Sequence, residues 1–278
     1  MDALVSSVAL PSYSIHIGDS ALEQLAAFLK KRRFSGCFIL VDENTLQFCL
    51  PQLVGQVQML AGAEVIELES GEKNKTVEVC SQVWSVLSEL GADRQSLLIN
   101  LGGGVITDMG GFIGGTYQRG ISFVHVPTTL LAQADASIGG KTGVDLEGLK
   151  NQVGVFADPA GLFIYPPFLR TLPEREIRSG FAEILKHGLI ADAGYWNRLK
   201  EIDPSNHQSW TPIILQSVRI KSGIAGEDPH DDGRRKILNF GHTVGHAIES
   251  LFLEEGQVSI LHGEAVAAGM ICEAFISH

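Results

Sequence analysis

Short apolar segments alternate with amphipathic ones between residues 37 and 126, and this alternation restricts the possible folds more than any other feature. The apolar segments have strand length and lie at residues 37–42, 64–68, 96–101 and 122–126. Helical patterns separate them at about residues 45–60, with a break near Pro51, and at 77–90 and 105–117. Continuous apolar runs of this length are typical of parallel strands buried on both faces. The pattern therefore predicts a Rossmann-like α/β sheet.

Three glycines at residues 102–104 follow the third of these strands, and the next predicted helix starts on them. A strand, a glycine turn and a helix can bring backbone N–H groups up to a pyrophosphate. The spacing is Gly-Gly-Gly-x-x-x-Asp, ending at Asp108, and differs from the Gly-x-Gly-x-x-Gly fingerprint. Such glycines also occur in simple tight turns, so both interpretations stay open, although the alternating pattern independently favours a dinucleotide-binding sheet.

Two adjacent prolines, Pro166 and Pro167, follow a last apolar segment at residues 161–165 and mark a domain boundary. Beyond them the pattern is almost wholly helical. The sequence therefore predicts an N-terminal α/β domain over residues 1–166 and an all-α domain over residues 167–278.

Composition narrows the choice of partners and compartment. The net charge of -11 argues against a nucleic acid or an anionic membrane as partner. The four cysteines show no paired or metal-type spacing and are interpreted as reduced thiols. The N-terminus lacks a signal-peptide pattern, and no apolar run reaches about 18 residues, so we expect a cytoplasmic protein.

Histidines gather in the predicted all-α domain. His242 and His246 stand four residues apart on a predicted helix and project from one face, and His262 follows with Glu264 nearby. Imidazoles with an acidic residue suggest a divalent metal in an enzyme site. A histidine pair at this spacing is also found as a hydrogen-bonded structural feature, so the pair alone does not distinguish a metal site from a structural one.

Another predicted helix, after Pro173, carries Glu183, Lys186 and His187 within one turn among apolar residues. A carboxylate and a lysine in such surroundings are costly unless they have partners. A surface ion pair is one account of them. A metal ligand beside a substrate-binding lysine is the other.

Two glycine-containing segments, at residues 139–143 and 148–151, are predicted to be loops and carry Lys141 and Lys150. The first contains Gly-Lys-Thr, but it lacks the first glycine of a P-loop and no strand leads into it, which excludes nucleoside triphosphate hydrolysis. Lysines on glycine loops suit a phosphate or carboxylate ligand, although each alone would be interpreted as a solvated side chain.

Several sequence blocks, in matching order and spacing, give the chain a resemblance to a known family over nearly its whole length. They are Gly103-Gly104-Val105 with Asp108, Tyr117-Gln118-Arg119-Gly120, Val126-Pro127-Thr128-Thr129-Leu130-Leu131-Ala132-Gln133, Gly139-Gly140-Lys141-Thr142-Gly143, Lys150-Asn151, Thr171-Leu172-Pro173, Ala182-Glu183 with Lys186, Leu238-Asn239-Phe240-Gly241-His242-Thr243 and Leu261-His262-Gly263-Glu264-Ala265-Val266. With these blocks the chain resembles the 3-dehydroquinate synthases, sugar phosphate cyclases of the shikimate pathway to chorismate and the aromatic amino acids.

The resemblance implies a Rossmann-like NAD-binding domain followed by an all-α metal-binding domain, with NAD and one divalent ion, zinc or cobalt, as cofactors. It implies that Glu183, His242 and His262 hold the ion with positions open to substrate. His246 would then assist proton transfer and would not be a ligand. The implied NAD contacts are Asp42, Asn44, Gly71, Glu72, Lys75, Gly103, Gly104, Val105, Asp108, Thr128, Thr129, Lys141, Lys150, Phe168 and Thr171.

The implied substrate is a phosphorylated sugar acid, 3-deoxy-D-arabino-heptulosonate 7-phosphate, which the family converts to 3-dehydroquinate. NAD-mediated transient oxidation, phosphate elimination, reduction, ring opening and an intramolecular aldol closure follow one another, so NAD is recycled. The matching substrate-site positions are Arg119, Asp135, Lys141, Asn151, Lys186, Lys221, Arg235 and Asn239. A local cation cluster of this kind explains how an acidic protein could bind a polyanion. The resemblance also implies a homodimer.

Three features depart from the family pattern. Asp228-Pro229 stands where an Asp-Glu pair is usual, and residues 222–226 are unusually small and rich in glycine. The sequence ends at His278 within an apolar helical pattern, whereas family members continue, so we expect a truncated C-terminal domain. Three alternative functions stay open: another sugar phosphate cyclase, a metal-dependent alcohol dehydrogenase of the glycerol type, and a non-catalytic homologue.

Overall fold

A computed structural model describes residues 6–147, 149–254 and 260–278 of the chain. The chain divides into two compact units. Unit 1 comprises Met1–Thr128 and Gly140–Thr171, and unit 2 comprises Thr129–Gly139 and Leu172–His278. The boundary predicted between residues 166 and 167 stays a prediction.

Unit 1 is built on a seven-stranded sheet in the order β1-β2-β9-β6-β5-β3-β4. Its strands are β1 Ser6–Ala9, β2 Ser14–Ile17, β3 Cys37–Asp42, β4 Glu64–Leu68, β5 Leu97–Gly102, β6 Ser122–Pro127 and β9 Leu162–Ile164. All neighbouring pairs run parallel except β1 and β2. The predicted Rossmann-like α/β sheet is confirmed.

Successive residues of β3 pack into two separate cores, which explains its uninterrupted apolar run. Ile39 and Val41 belong to one buried cluster, and Phe38 and Leu40 belong to another. A strand with both faces covered gains from an apolar side chain at every position. The helices of this unit are α1 Ala21–Lys31, α2 Glu43–Phe48, α3 Leu50–Gln56, α4 Val77–Glu89 and α5 Gly104–Thr116.

The helical pattern predicted at residues 45–60 is two helices, which meet at Cys49. Pro51 lies in the first turn of α3, where a backbone N–H has no partner within the helix and a proline is tolerated. The break near Pro51 is therefore confirmed.

The two lysine-bearing segments that we predicted to be loops form a hairpin instead. Lys141 begins β7 (Lys141–Leu146), which pairs antiparallel with β8 (Leu149–Phe156). Gly148, part of the second predicted loop, lies outside the described residues. The glycines suggested turns, yet Gly143 and Gly154 face each other across the hairpin. A Cβ on Gly154 would lie 2.3 Å from the Thr142 carbonyl oxygen, so these glycines permit close strand approach.

Unit 2 is helical in the part of it that the structure describes, as predicted. Its helices are α6 Glu174–Ala191, α7 Ala193–Leu199, α8 Thr211–Glu227, α9 His242–Glu254 and α10 His262–Ser277. A π-helical turn spans Ala132–Ala136, and a 3-10 segment spans Arg234–Asn239. None of the helices described in either unit has the length and apolar character needed to cross a membrane.

Glycines bring the helices of unit 2 unusually close to one another. A Cβ on Gly263, in the first turn of α10, would lie 1.9 Å from the carbonyl oxygen of Ser179 on α6. A Cβ on Gly269 would lie 2.0 Å from the carbonyl oxygen of Gly241 at the start of α9. These contacts fix where the first turns of α9 and α10 lie, and both turns begin with a histidine.

Candidate active site

Glu183, His242 and His262 come together in unit 2 from three helices, α6, α9 and α10. Oε1 of Glu183 lies 3.7 Å from Nε2 of His242 and 3.6 Å from Nε2 of His262. One ligand atom from each residue lies within 4.8 Å of the other two. We call these three residues the ion set. One carboxylate and two imidazoles are a donor set typical of a catalytic zinc-type site that keeps a position open.

The carboxylate of the ion set is fully buried and has one cationic neighbour on its own helix. Glu183 is 0% exposed, and the ammonium group of Lys186, 1% exposed and one turn further along α6, contacts its Oε2. Burial alone would raise the pKa of Glu183, but the Lys186 charge, the hydrogen bond from His262 and the nearby His242 together outweigh this and hold the pKa below its usual value. The Glu183 carboxyl is therefore ionised and available as a cation ligand.

His242 is positioned by the start of α9. The carboxylate of Glu273, on α10, accepts hydrogen bonds from the backbone N–H groups of Gly241, at 2.7 Å, and Val244, at 3.2 Å. These bonds cap the N-terminus of α9 from a neighbouring helix. Burial, with the nearby Lys186 charge, lowers the pKa of His242 to about 4, so its imidazole is neutral and can bind a metal.

His262 stands between two carboxylates. Its Nε2 faces Glu183, and its Nδ1 lies 3.3 Å from Oε1 of Glu249, a residue of α9 that is 4% exposed. Burial would lower the pKa of His262, but the hydrogen bonds to Glu183 and Glu249 outweigh it and raise this pKa to about 9. Arg175 binds both oxygens of Glu264 at 2.7 and 2.6 Å and so ties the first turn of α10 to α6.

His246 lies beside the ion set without belonging to it. Its ring centroid is 5.3 Å from that of His242 and 6.0 Å from that of His262. It falls instead in a second possible donor set, with Glu249 and His262. The helical spacing places His242 and His246 together, as predicted. Of these two histidines, only His242 belongs to the ion set.

A buried polar network adjoins the ion set in unit 2. Asp135 accepts from Nζ of Lys221 at 2.7 Å and lies 3.0 Å from Nε2 of His187, and His187 contacts the Ser217 hydroxyl through Nδ1. Burial would raise the pKa of Asp135, but Lys221 and then Lys186 hold it well below its usual range. Asp135 is therefore a carboxylate that fixes the Lys221 ammonium.

Arg235 and Asn239 lie on the 3-10 segment that precedes α9. Arg235 is 3% exposed and donates to the carbonyl oxygens of Gly139, at 2.7 Å, and Pro229, at 2.8 Å, which holds its guanidinium in one orientation. The backbone N–H of Arg235 donates to Oδ2 of Asp228 at 3.1 Å, so the acidic residue of the Asp228-Pro229 pair has a structural role here. Asn239 is exposed and lines an open cavity of about 640 Å³.

In unit 1, Asp42 ends β3, and Gly103 and Gly104 directly follow the carboxyl end of β5. From β3 the chain continues to β4 on one side, and from β5 to β6 on the other, so a topological switch point lies between β3 and β5. Ligands bind at such a point in open α/β sheets. Asp42, at the end of β3, caps α2 by accepting from Thr45 N at 2.8 Å. Gly103 is the N-cap of α5 and has no side chain to block it.

A lysine-centred cluster lies close to this helix start. Lys75 is 3% exposed, and its Nζ lies 2.6 Å from Oδ2 of Asp108 and 2.7 Å from Oδ1 of Asn151. Burial would lower the pKa of Lys75, but Asp108 and Glu72 outweigh it and raise this pKa. Lys150 lies 3.3 Å from Glu72. The structure thus brings five predicted residues from three parts of the chain together.

The remaining predicted residues are distributed along both units. In unit 1, Asn44, Arg119 and Lys141 are exposed, and Gly71 has a φ of 104° before a 3-10 turn. Gly104 is the first residue of α5, Val105 is half-buried in the same helix, and the Thr128 N–H donates to the Gly102 carbonyl at 3.0 Å. Phe168 is 2% exposed within the core, and its carbonyl accepts from the Thr171 hydroxyl at 3.3 Å. In unit 2, the Thr129 hydroxyl accepts from Ala132 N at 3.2 Å.

Sequence reasoning assigned no role to Glu249, Glu273 or Ser217, all of which contact or position site residues. Glu249 stands three residues after His246 and seven after His242, which places all three on one face of α9. That spacing was a usable signal. Glu273 and Ser217 act through contacts between distant parts of the chain, for which the sequence gives no local sign.

The comparisons with known proteins give the same family along most of the chain. The family model described as 3-dehydroquinate synthase N-terminal matches residues 65–179, and that described as 3-dehydroquinate synthase C-terminal matches residues 180–278. A 3-dehydroquinate synthase of Parabacteroides distasonis is 48% identical over 258 residues, which cover 92% of this chain and 72% of the relative.

Solved structures of related cyclases are also similar. A 2-deoxy-scyllo-inosose synthase complexed with carbaglucose-6-phosphate, NAD+ and Co2+ superposes with a TM-score of 0.86 at 26% identity, covering 96% of this chain and 75% of that one. The 2-epi-5-epi-valiolone synthase of Streptomyces hygroscopicus subsp. jinggangensis, with NAD+ and Zn2+ bound, gives a TM-score of 0.75 at 28% identity over the same shares. The matched family models and the close relative show that this chain belongs to the 3-dehydroquinate synthase family.

Proposed function

We propose that this protein converts 3-deoxy-D-arabino-heptulosonate 7-phosphate into 3-dehydroquinate and phosphate, using NAD and one divalent ion. The observation that carries the proposal is the ion set beside buried lysines, in a member of the 3-dehydroquinate synthase family. Glu183 is wholly buried, and both histidines present Nε2 toward its Oε1.

The residues present fit a divalent ion. The set offers one carboxylate and two imidazoles, which suit zinc or cobalt and leave positions for substrate oxygens. Glu183, His242 and His262 would hold the ion, and the chemistry it supplies is Lewis-acid polarisation of a substrate hydroxyl or carbonyl oxygen. The solved cyclases that contain Co2+ or Zn2+ support this assignment.

Unit 1 likewise fits NAD, which supplies hydride acceptance and return. The N-terminus of α5 begins at Gly103 and Gly104, and a helix start of this kind presents backbone N–H groups to a pyrophosphate. We assign Asp42, at the end of β3, to the adjoining part of the dinucleotide. The other predicted NAD residues, Asn44, Gly71, Glu72, Lys75, Val105, Asp108, Thr128, Thr129, Lys141, Lys150, Phe168 and Thr171, keep this role as part of the proposal.

We assign the anionic groups of the substrate to the predicted cations. Lys186 and Lys221 are held by carboxylates in a buried setting, so each ammonium group has a fixed position before substrate arrives. Arg235 is fixed by two backbone carbonyls. Arg119 and Lys141 of unit 1 are assigned the same role, and Asn151 and Asn239 are assigned hydrogen bonds to substrate oxygens.

His246 is the group that we assign to proton transfer. Its imidazole is half-buried and lies within 6.0 Å, ring to ring, of two members of the ion set. An imidazole can accept and return a proton near neutral pH, which elimination of phosphate requires. Asp135 supports the reaction indirectly, because it fixes Lys221.

The test is to incubate the chain with the heptulosonate phosphate, NAD and Zn2+ or Co2+, and to follow phosphate release together with absorbance at the NADH band. The expected result is stoichiometric phosphate without net NADH. Net NADH with an alcohol substrate would instead indicate a dehydrogenase, and phosphate released only from sedoheptulose 7-phosphate or glucose 6-phosphate would indicate a sister cyclase. The predicted homodimer and cytoplasmic location stay predictions, which sedimentation and cell fractionation address.

A further inference from the structure

Glu249 makes a contact that the ion set alone does not account for. Its two carboxylate oxygens lie 3.3 and 3.4 Å from Nδ1 of His262, and the residue is 4% exposed. The other ring nitrogen of His262, Nε2, lies 3.6 Å from Oε1 of Glu183. The imidazole of His262 therefore has the buried Glu249 carboxylate on its Nδ1 side and Glu183 on its Nε2 side.

A His262 ring protonated on both nitrogens could donate to both carboxylates, but once an ion binds Nε2 the ring is neutral and only one arrangement remains. A neutral imidazole carries one proton, and a carboxylate accepts a hydrogen bond without donating one. The Glu249 carboxylate therefore keeps the proton on Nδ1 and leaves the Nε2 lone pair directed at the ion set. The same hydrogen bond opposes rotation of the ring. Acceptors that orient a metal-binding histidine in this way typically change metal affinity by about 10–100-fold.

We propose that Glu249 is a positioning residue for the ion set, which selects the tautomer and the ring orientation of His262. This inference rests on the proposed function, because it assumes that the ion set holds a divalent ion. Helix α9 then has two roles, since it carries the ligand His242 and, two turns later on the same face, the acceptor for the other ligand histidine.

A second ion between His246, Glu249 and His262 is the competing interpretation, because their ligand atoms also lie within 4.8 Å of one another. Occupation of both sites at once would require His262 to give up its Nδ1 proton and to bind through both nitrogens. A hydrogen bond requires no such loss. The Nδ1 contact is therefore better explained by orientation than by a second ion.

The experiment titrates the full metal-free chain with Zn2+ in competition with a chromophoric chelator. Wild type, Glu249→Ala, Glu249→Gln and His246→Ala are compared. Glu249→Ala should bind one ion about 10–100-fold more weakly than wild type. Glu249→Gln should recover part of that loss, because its amide oxygen still accepts from Nδ1. His246→Ala should bind one ion as tightly as wild type.

Equal affinity of Glu249→Ala and wild type would overturn the inference while leaving the proposed function intact. Two ions per wild-type chain, with one lost in both Glu249→Ala and His246→Ala, would establish the second site instead. No binding by wild type would defeat the proposed function itself. Urea unfolding of the metal-free variants identifies any that fail to fold, and the near-isosteric Glu249→Gln keeps the comparison informative if Glu249→Ala is among them.

Discussion

Gly263→Ala tests whether the close contact between α10 and α6 sets the geometry of the ion set. The added Cβ would lie 1.9 Å from the Ser179 carbonyl oxygen, whereas ordinary contact begins at 3.4 Å. The first turn of α10 therefore has to move by about 1.5 Å relative to α6. That turn carries His262, and α6 carries Glu183 one turn beyond Ser179, so the displacement acts directly on two members of the set.

Two quantities should change together. Overpacking usually costs about 1–3 kcal/mol, and we expect the upper end because the atom in the way belongs to the backbone. With a urea slope of about 2–3 kcal/mol per M, the unfolding midpoint should fall by about 1 M. Zinc affinity should fall at least about tenfold, since a site tolerates only about 0.5 Å of ligand displacement.

Gly223→Ala is the matched control within unit 2. Gly223 lies exposed in α8, and a Cβ there meets nothing within 4 Å. Alanine in a helix interior should stabilise the chain by about 0.5–1 kcal/mol and leave zinc affinity unchanged. If Gly263→Ala matched this control in both measurements, the packing argument for the ion set would be refuted.

Two further substitutions test the charged pairs. Lys75→Met removes the ammonium that pairs with Asp108 and should lower the free energy of unfolding by about 3 kcal/mol, measured in urea. The double variant with Asp108→Asn should recover part of this, and no recovery would contradict the pairing. Lys186→Met removes the ammonium that competes with the divalent ion for Glu183, so calorimetry should show zinc bound about tenfold more tightly. Phosphate release should be lost, because the same ammonium is assigned to the substrate. Weaker zinc binding would contradict that competition.

The sheet could be predicted from the sequence because its strands are covered on both faces. Ile39 and Phe38 are adjacent in sequence yet pack into different cores, and such a strand is apolar throughout. The hairpin of β7 and β8 could not be predicted in this way. Its glycines, Gly143 and Gly154, resemble turn residues, and only their pairing with each other shows why they are small.

The site was predictable only in part. The spacing of His242 and His246 on one helical face follows from helix geometry alone, whereas the choice between them as ligand came from the family resemblance. Contacts between distant segments, such as Glu273 with the start of α9, leave no periodic signal. The burial of Lys75 likewise leaves no periodic signal in the sequence, because its partners lie 33 and 76 residues away along the chain.

X-ray absorption of the cobalt-loaded chain tests the central claim, which is that Glu183, His242 and His262 hold one ion and that His246 does not. One ion per chain with two imidazole ligands is expected in wild type and in His246→Ala. The His242→Ala chain should show one imidazole or fail to retain the ion. Three imidazoles in wild type, or loss of one in His246→Ala, would contradict the account.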